Sequence, residues 1–339
     1  MERAQGRLLQ ALTSLPEPVI QRMAGRPIVR DGNRLAPEAH LILTLFRVTR
    51  QKPLDKLPIA KARRTLDLQA ASLAINQPIG AVRSLTIEGR PARLYTPSSL
   101  LGAGKAPTML YFHGGFHTYG GLKSHAGTLR FLAEQARIQV LALDYRLAPE
   151  NPFPAGLEDC MAALRWLAAN PDAVGADPTR LAVGGDSAGG NLAAATVQSL
   201  ANEVDLVFQL LVYPVIEFTQ TSESRRSLGV GFYLTRTGIE QAAKRYVPDE
   251  RDRKDPRATV LNAAISPNTP PTLVVTAGFD PLRDEGNAYA EKLREAGVDV
   301  QLRQYGDMIH GFFNQVTAGR RAHRYNREIV AAVRDALAN

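Results

Sequence analysis

Residues 184–191 read GGDSAGGN, which places four glycines around one serine, Ser187. The apolar run 180–184 before them predicts a short buried strand, and 191–197 after them predicts a helix rich in small side chains. Glycine inside a regular element costs roughly 0.5–1 kcal/mol relative to alanine, so this cluster indicates a geometric need. A G-x-S-x-G turn between a strand and a helix is typical of a nucleophile elbow. A phosphate-binding loop is disfavoured, because no Lys-Ser or Lys-Thr pair follows the glycines.

Strands and helices alternate along most of the chain. Apolar runs predict strands at 108–113, 139–144, 180–185, 206–213, 272–277 and 298–305. Helical patterns are found near 128–137, at 155–169, 188–201 and 282–296, and after about 320. Residues 82–88 and 90–95 predict an antiparallel pair. This order favours a mostly parallel sheet with helices on both faces. Residues 1–80 are predicted to be helical, and 214–268 is interpreted as an insertion that forms a lid.

Composition limits the cell compartment and the partners. With 339 residues and 45% hydrophobic content, the chain can bury a large core. Its one cysteine, Cys160, is expected to be a buried structural thiol in a reducing compartment, so we expect a cytoplasmic protein without a membrane span. The net charge is +8, but acidic and basic residues are interleaved, as in 249–255. A solvated basic surface is therefore favoured over a site for nucleic acid.

A serine nucleophile needs a base, a group that orients the base, and donors for the oxyanion. His310 follows the last predicted strand, where a base is expected. Asp280 follows the strand before it, and the carboxyl ends of parallel strands face a ligand crevice. The chain order Ser187, Asp280, His310 is the order of an α/β-hydrolase triad. His310 is therefore predicted to be the general base, and Asp280 to fix its tautomer.

Other titratable residues are interpreted as structural. His40 and His323 lie on predicted helices remote from strand ends, and we expect surface or hydrogen-bonded histidines there. Asp284 and Glu285 are expected in the first turn of a helix, where carboxylates interact favourably with the helix dipole. His113 is expected to fix a loop rather than to act as a base.

The oxyanion donors are expected from two backbone segments. Residues 110–117 read LYFHGGFH, in which Gly114 and Gly115 can turn their amides without interference from a Cβ atom. The amide of Ala188, directly after the nucleophile, supplies a further donor.

Together these motifs resemble the hormone-sensitive-lipase-type carboxylesterases, the bacterial family IV branch of the α/β-hydrolases. The resemblance covers about residues 80–320. It is carried by YFHGG, DYRLAPENPFPA (144–155), GGDSAGGN, GFDPLRDEG (278–286) and HGF (310–312).

The resemblance implies an α/β-hydrolase fold: a mostly parallel eight-stranded sheet flanked by helices, with a helical cap. It divides the chain into a helical segment that contributes to the cap (1–80), a catalytic domain in two parts (81–213 and 269–339) and a cap insertion (214–268). It also implies the triad and the oxyanion donors already named. Four residues are implied to support the site without performing chemistry: Asp144, Tyr145, Arg146 and Glu150.

One position departs from the family pattern. The family's loop is usually His-Gly-Gly-Gly, and Phe116 stands at the third glycine. A positive φ there would cost a side chain about 1–2 kcal/mol. We expect Phe116 to wall the acyl pocket and to limit chain length, with His117 as a second candidate pocket residue.

The expected function is hydrolysis of short- to medium-chain acyl esters through an acyl-enzyme on Ser187, without a metal or organic cofactor. A lipase, an amidase or a deacetylase would use the same triad and remains open. A binding protein without activity is less favoured, because His310 is present in its motif. The partner is expected to be a small ester, and an edge position of strand 298–305 would offer a route to a homodimer.

Overall fold

A computed structural model describes residues 2–338, with side chains from residue 6 onward. Two strands, β1 (Val29–Arg30) and β2 (Asn33–Arg34), form a small separate hairpin. The strands of the main sheet are β3 (Ala81–Ile87), β4 (Arg90–Thr96), β5 (Ala106–Phe112), β6 (Gln139–Leu143), β7 (Ala176–Asp186), β8 (Phe208–Val212), β9 (Thr272–Phe279) and β10 (Val300–Ile309).

The main sheet has eight strands in the order β10-β9-β8-β7-β5-β6-β4-β3. The pairs β3–β4 and β4–β6 are antiparallel, and the other neighbouring pairs are parallel. The mostly parallel sheet predicted from the sequence is therefore confirmed. Strand β10 lies at one edge, as predicted, and the homodimer through that edge stays a prediction.

The α-helices of residues 2–338 are α1 (Glu2–Thr13), α2 (Glu17–Ala24), α3 (Pro37–Val48), α4 (Ile59–Leu73), α5 (Ala126–Ala136), α6 (Ala155–Ala169), α7 (Ala188–Leu200), α8 (Glu223–Ser227), α9 (Arg236–Tyr246), α10 (Arg283–Glu295) and α11 (Arg320–Leu337). Helices α6, α7 and α10 cover one face of the sheet, and α5 and α11 cover the other. Because both faces are covered, the central strands are buried throughout, which explains their continuous apolar runs.

The two faces have separate cores. Successive strand residues point to opposite faces, so Val183 of β7 joins the α6–α7–α10 core and Ala182 joins the α5–α11 core. Cys160 lies on α6 in the first of these cores and is fully buried. Burial raises the pKa of its thiol well above the usual range. The buried structural thiol predicted from the sequence is confirmed.

The N-terminal helices are tied to the end of β10 and to the loop before α11. The amide of Ala36 donates to the carbonyl of Asp307, at 2.9 Å. The amide of Thr317 donates to the carbonyl of Leu73 at 2.9 Å, and the amide of Ile75 donates to the Thr317 hydroxyl at 3.2 Å. These bonds place α3 and α4 beside the carboxyl end of β10, next to the strand ends where a site is expected.

The segment between β8 and β9 contains two α-helices, two single-turn 3-10 helices and no strand among its residues, all of which the structure describes. The side chain of Ser222 caps α8 by accepting from the amide of Arg225, and that of Thr235 caps α9 by accepting from the amide of Gly238. Across residues 2–338, no helix combines the length and the apolar character needed to cross a membrane.

Candidate active site

Ser187 lies at a strained turn between β7 and α7. Its backbone has φ 56° and ψ −118°, a conformation that costs a non-glycine residue roughly 1–3 kcal/mol. Two backbone hydrogen bonds hold it there, from the Ser187 amide to Val212 at 2.8 Å and from the Val215 amide to Ser187 at 3.1 Å. A Cβ atom on Gly189 would overlap the carbonyl oxygen of Phe112, and one on Gly185 would overlap that of Gly189. The glycines around the serine are therefore required by the close approach of neighbouring backbone, as the sequence predicts.

The three predicted triad side chains meet at the carboxyl ends of β7, β9 and β10. His310 Nε2 lies 3.0 Å from Ser187 Oγ, and His310 Nδ1 lies 2.7 Å from Asp280 Oδ2. Asp280 is fully buried, and its other oxygen accepts the amide of Leu282 at 2.9 Å. An imidazole with its proton on Nδ1 donates to the carboxylate and accepts from the serine hydroxyl. This arrangement lets the ring take a proton from Ser187 while the carboxylate stabilises the resulting charge.

The glycine loop after β5 differs in one respect from the prediction. The amide of Gly114 donates to Asp186 Oδ1 at 3.1 Å, so its proton is directed away from the serine. Gly114 is therefore wrong as an oxyanion donor, because a neighbouring carboxylate has already engaged its amide. The amides of Gly115, Phe116 and Ala188 have no acceptor among residues 2–338. Within the described residues, these three amides are therefore unengaged donors, one next to Ser187 and two on the glycine loop.

Phe116 adopts the positive φ that the family's glycine pattern suggests. Its φ is 59°, in the left-handed region, and so the side chain is held in a conformation that disfavours any residue except glycine. The ring packs edge-on against Tyr119 with 5.9 Å between centroids. A Cβ atom on Gly238 of α9 would lie 3.3 Å from the ring. Phe116 therefore fills the space between the glycine loop and the insertion.

A buried carboxylate that the sequence analysis did not single out ties the loops of the site together. Asp186 accepts hydrogen bonds from the Tyr111 hydroxyl at 2.9 Å and from Asn314 Nδ2 at 3.2 Å, in addition to the bond from Gly114. His125 Nε2 lies 3.3 Å from its second oxygen. Burial raises the pKa of this carboxyl, but His125 and these hydrogen bonds outweigh burial and lower it to about 2. Asp186 is thus a buried anion that joins the elbow, the glycine loop and the loop after His310.

The histidines of the glycine loop are buried and neutral. His113 Nδ1 lies 2.8 Å from the carbonyl oxygen of Gly114, and its ring stacks on Tyr145 at 4.3 Å, which agrees with the predicted loop-fixing role. His117 stacks on Tyr246 at 3.7 Å, and its Nε2 lies 3.3 Å from Asn191 Oδ1. Burial lowers the pKa of each imidazole to about 3.

The stretch 144–150 supports the glycine loop from behind. The Tyr145 hydroxyl donates to the carbonyl of His113 at 2.6 Å. Arg63 of α4 donates to Glu150 at 2.7 Å and to the carbonyl of Thr118 at 2.9 Å. These contacts connect the N-terminal helices to the loop that carries the free donors.

The acids after Asp280 anchor the insertion. Asp284 Oδ2 accepts the amide of Ser224 at 2.7 Å, and Glu285 Oε2 accepts from Arg225 Nε at 2.7 Å. Both carboxylates lie in the first turn of α10, as predicted. Their partners are on α8, so their role is structural.

Three cavities are lined by Ser187, by His310 or by both. The largest, about 380 Å³, is lined by His310 together with α3, the turn 51–55 and residues of the insertion, and Ser187 is not in its wall. One of about 90 Å³ contains Ser187, His310 and Gly115. The smallest, about 20 Å³, contains Ser187 but not His310. Its other walls are mostly apolar: Phe116, His117, Val215, Phe218, Leu234, Ile239, Ala242 and Leu282.

The expectation for His40 is corrected. His40 is 7% exposed, its Nδ1 has no hydrogen-bond partner among residues 2–338, and it lines the 380 Å³ cavity together with His310. Packing of α3 beside the end of β10 brings it there, which local sequence patterns do not reveal. Burial and then the charge of Arg47 lower the pKa of its imidazole. His323 is exposed and bonds the carbonyl of Val316 at 2.9 Å, as predicted.

Comparisons with known proteins agree with this geometry. A family profile described as alpha/beta hydrolase fold matches residues 109–314. The carboxylic ester hydrolase LipN of Mycobacterium tuberculosis is 37% identical, over 98% of this chain and 92% of its own length. An ethyl acetate hydrolase of Pseudomonas putida is 36% identical, over 77% of this chain and 85% of its own.

Solved structures show the same likeness. The ester hydrolase EH1AB1 from the metagenome of Lake Arreo, complexed with a derivative of bipyridine phosphonate, has a TM-score of 0.85 and 37% identity, over 90% of this chain and 100% of that chain. A hyperthermophilic esterase from the archaeon Pyrobaculum calidifontis has a TM-score of 0.83 and 34% identity, over 89% of this chain and 98% of that chain. The fold and these matches define a hydrolase that acts on carboxylic esters. The chain belongs to the α/β-hydrolase family, in its branch of esterase-like proteins.

Proposed function

We propose that this protein hydrolyses carboxylic esters with short acyl chains through a covalent intermediate on Ser187. The observation that carries the proposal is the continuous hydrogen-bonded series Ser187–His310–Asp280, with bond lengths of 3.0 and 2.7 Å. Relatives that align with 98% and 73% of this chain are named carboxylic ester hydrolase and esterase, which supports the reaction class. The geometry and the names of the relatives together support ester hydrolysis with Ser187 as the proposed nucleophile.

In the first half-reaction, His310 Nε2 accepts the hydroxyl proton of Ser187 while Oγ attacks the ester carbonyl carbon. The amides of Gly115, Phe116 and Ala188 donate to the oxygen that becomes negative. His310 then gives the proton to the leaving alcohol as the carbon–oxygen bond breaks. In the second half, a water loses its proton to His310 and attacks the acyl group, and the proton returns to Ser187.

The positions of the cavities support a placement for each half of the substrate. His310 must protonate the leaving oxygen, so the alcohol lies on the His310 side, in the cavity of about 380 Å³. The acyl group then occupies the cavity of about 20 Å³ that contains Ser187 without His310. A cavity needs roughly 10–15 Å³ to hold one water molecule. A cavity of about 20 Å³ therefore accepts an acyl tail of only one or two heavy atoms.

We also propose that residues 1–80 and 214–268 together form a cap over the strand ends. Leu43 and Leu54 of the first segment and Tyr233 and Leu234 of the second line the same cavity as His310. A ligand in that cavity would lie between the two segments and the catalytic residues. The division into four segments given by the sequence is consistent with this arrangement.

A serine-directed phosphonate tests the nucleophile. We expect one equivalent to bind covalently to Ser187, detected by intact mass and peptide mapping, and none to bind to Ser187→Ala. Labelling at another serine, or a Ser187→Ala variant that still turns over p-nitrophenyl acetate, would contradict the proposal.

A chain-length series tests the acyl pocket. The wild type should hydrolyse p-nitrophenyl acetate faster than the butyrate and far faster than the octanoate. Phe116→Gly removes a wall of the 20 Å³ cavity, so the octanoate-to-acetate ratio of kcat/KM should rise about tenfold, the scale of one or two buried methylenes. Phe116→Leu, which keeps an apolar wall, is the matched control. A profile that does not move in Phe116→Gly would show that Phe116 does not shape the pocket.

A further inference from the structure

The wall of the 380 Å³ cavity carries polar side chains that the protein itself does not use. His40 on α3, Asp55 in the turn Leu54–Lys56 and Gln69 on α4 all line this cavity. Within residues 2–338, each has a buried oxygen or nitrogen without a hydrogen-bond partner, namely Nδ1, Oδ2 and Oε1 respectively. Burying a polar atom without a partner costs about 1–3 kcal/mol, so three around one cavity call for a ligand that supplies hydrogen bonds.

Of the three residues, Asp55 restricts the chemistry of the ligand most. Its side chain is only 7% exposed, and the nearest cation, Lys56 Nζ, lies 3.8 Å from Oδ2, which is too far for a hydrogen bond. A carboxylate accepts hydrogen bonds and donates none. A ligand that satisfies Asp55 must therefore bring a donor, such as a hydroxyl or an ammonium group.

The other charged side chains of the cavity determine whether a hydroxyl or an ammonium donor is favoured. Arg47 and Lys52 line the same cavity, so its ionised residues are two cations and one anion. A cationic ligand would be repelled by Arg47 and Lys52, and an anionic one by the buried Asp55. A neutral hydroxyl group can donate to Asp55 and also accept from the basic side chains.

Gln69 places this polar wall close to the reacting atoms. It lines the 380 Å³ cavity and also the cavity of about 90 Å³ that contains Ser187 and His310. Apolar walls from Leu43, Phe46 and Leu54 complete the larger cavity. A ligand with a short carbon frame and hydroxyl groups near its ester bond matches both kinds of wall.

We propose that the leaving-group cavity selects esters of neutral polyhydroxylated alcohols, with Asp55, Gln69 and His40 as specificity-determining residues. The inference rests on the proposed ester hydrolysis and on placing the alcohol on the His310 side. It assigns the class of alcohol, whereas the acyl preference comes from a different cavity.

Two pairs of acetates with matched shapes provide the test. The first pair is 2,3-dihydroxypropyl acetate and 2-methylbutyl acetate, which differ only in hydroxyls replaced by methyls. The second is acetylcholine and its neutral analogue 3,3-dimethylbutyl acetate. For the wild type, we expect kcat/KM for the diol ester to exceed that of its partner by about tenfold, as for one hydrogen bond to a charged acceptor. We expect no such gain for acetylcholine over its analogue.

Variants then test which side chains cause the preference for the diol ester. Asp55→Leu and Gln69→Leu should each lower the diol-to-alkyl ratio, mainly through KM of the diol ester. Asp252→Leu makes the same change at an exposed carboxylate on the insertion and should leave the ratio as it is. Turnover of p-nitrophenyl acetate by each variant reports whether its site is assembled.

Each outcome decides the proposal. A wild-type diol-to-alkyl ratio of one or less overturns it, whatever the variants do. A ratio that survives both Asp55→Leu and Gln69→Leu also overturns it, and a gain for acetylcholine alone would assign the cavity to cations instead. Failure to hydrolyse any acetate, including the p-nitrophenyl ester, would instead contradict the proposed function itself.

Discussion

The two sides of the active-site cleft, here called the floor and the roof, differ in how their polar side chains are hydrogen-bonded. On the floor, at the strand ends, Ser187, His310 and Asp280 bond one another at 2.7–3.0 Å. On the proposed roof, where the N-terminal helices and the insertion line one cavity, Asp55 and Gln69 have buried polar atoms with no hydrogen-bond partner among residues 2–338. The proposed catalytic side chains are therefore hydrogen-bonded to one another before a substrate binds. In the specificity that we propose, the unpaired atoms of the roof bond the ligand, so the reaction and the choice of substrate depend on different residues.

The rigidity of the floor has an energetic cost. The backbone of Ser187 stores roughly 1–3 kcal/mol of strain, and buried groups such as Asp280 and Asp186 lose their hydration. Hydrogen bonds from amides and side chains offset these costs. Substitutions on the floor should therefore act on kcat, whereas those on the roof should act on the choice of substrate.

The largest effect expected on the floor is that of Asp280→Asn. The amide keeps the shape but favours the wrong imidazole tautomer, so kcat should fall by about 10⁴-fold with little change in KM. Steady-state kinetics on p-nitrophenyl acetate measures this. Asp284→Asn changes a neighbouring acid that bonds only structural partners, and its kcat should fall far less. Equal losses in the two variants would mean that the proposed triad does not act as a unit.

A smaller loss is expected for Asp186→Asn, which weakens the anchor of the glycine loop. Removing one oxyanion donor costs about 10²–10³ in kcat, and displacing the loop should cost up to about 10². Affinity for a trifluoromethyl ketone, which mimics the tetrahedral intermediate, should fall in parallel with kcat while KM stays nearly constant. Tyr111→Phe removes one bond to the same carboxylate without touching Gly114. If analogue binding is unaffected in Asp186→Asn, this carboxylate is structural only.

The smallest effect is on stability and follows from His117. Burial lowers its pKa to about 3, against about 6.5 for an exposed imidazole, so the unfolded chain binds more protons between these values. The stability that His117 contributes is complete above about pH 6.5 and is lost as pH falls toward 3, by roughly 2 kcal/mol at pH 5. The unfolding free energy of His117→Gln, measured with urea from pH 7.5 to 5, should therefore fall less steeply than that of the wild type. Parallel curves would show that His117 titrates normally.

The residues of the floor could be predicted from the sequence because the geometry of parallel sheets determines where they lie. Parallel strands present their carboxyl ends at one edge, so the acid and the histidine that follow β9 and β10 could be placed beside Ser187. The direction of the Gly114 amide does not follow from the glycine loop alone, because it depends on the nearby Asp186 carboxylate. The motif itself contained the signal, since Asp186 directly precedes the nucleophile.

The roof was harder to predict for a different reason. His40 reaches the cavity only because α3 packs beside the end of β10, a contact between segments about 270 residues apart that leaves no local periodicity. Helices α8 and α9 lie in a stretch with many polar residues, and their capping residues Ser222 and Thr235 are local signals of where they begin. The roof is thus specified by tertiary packing rather than by element patterns.

The burial of Cys160 has a practical consequence for studying that roof. The chain has one thiol, shielded from solvent on α6 and held protonated by its surroundings, so maleimide reagents will not reach it in the folded protein. A cysteine introduced at Val230, which is 78% exposed on the insertion, would carry a fluorophore as the sole label. Fluorescence could then follow movement of the insertion during turnover in an otherwise natural background.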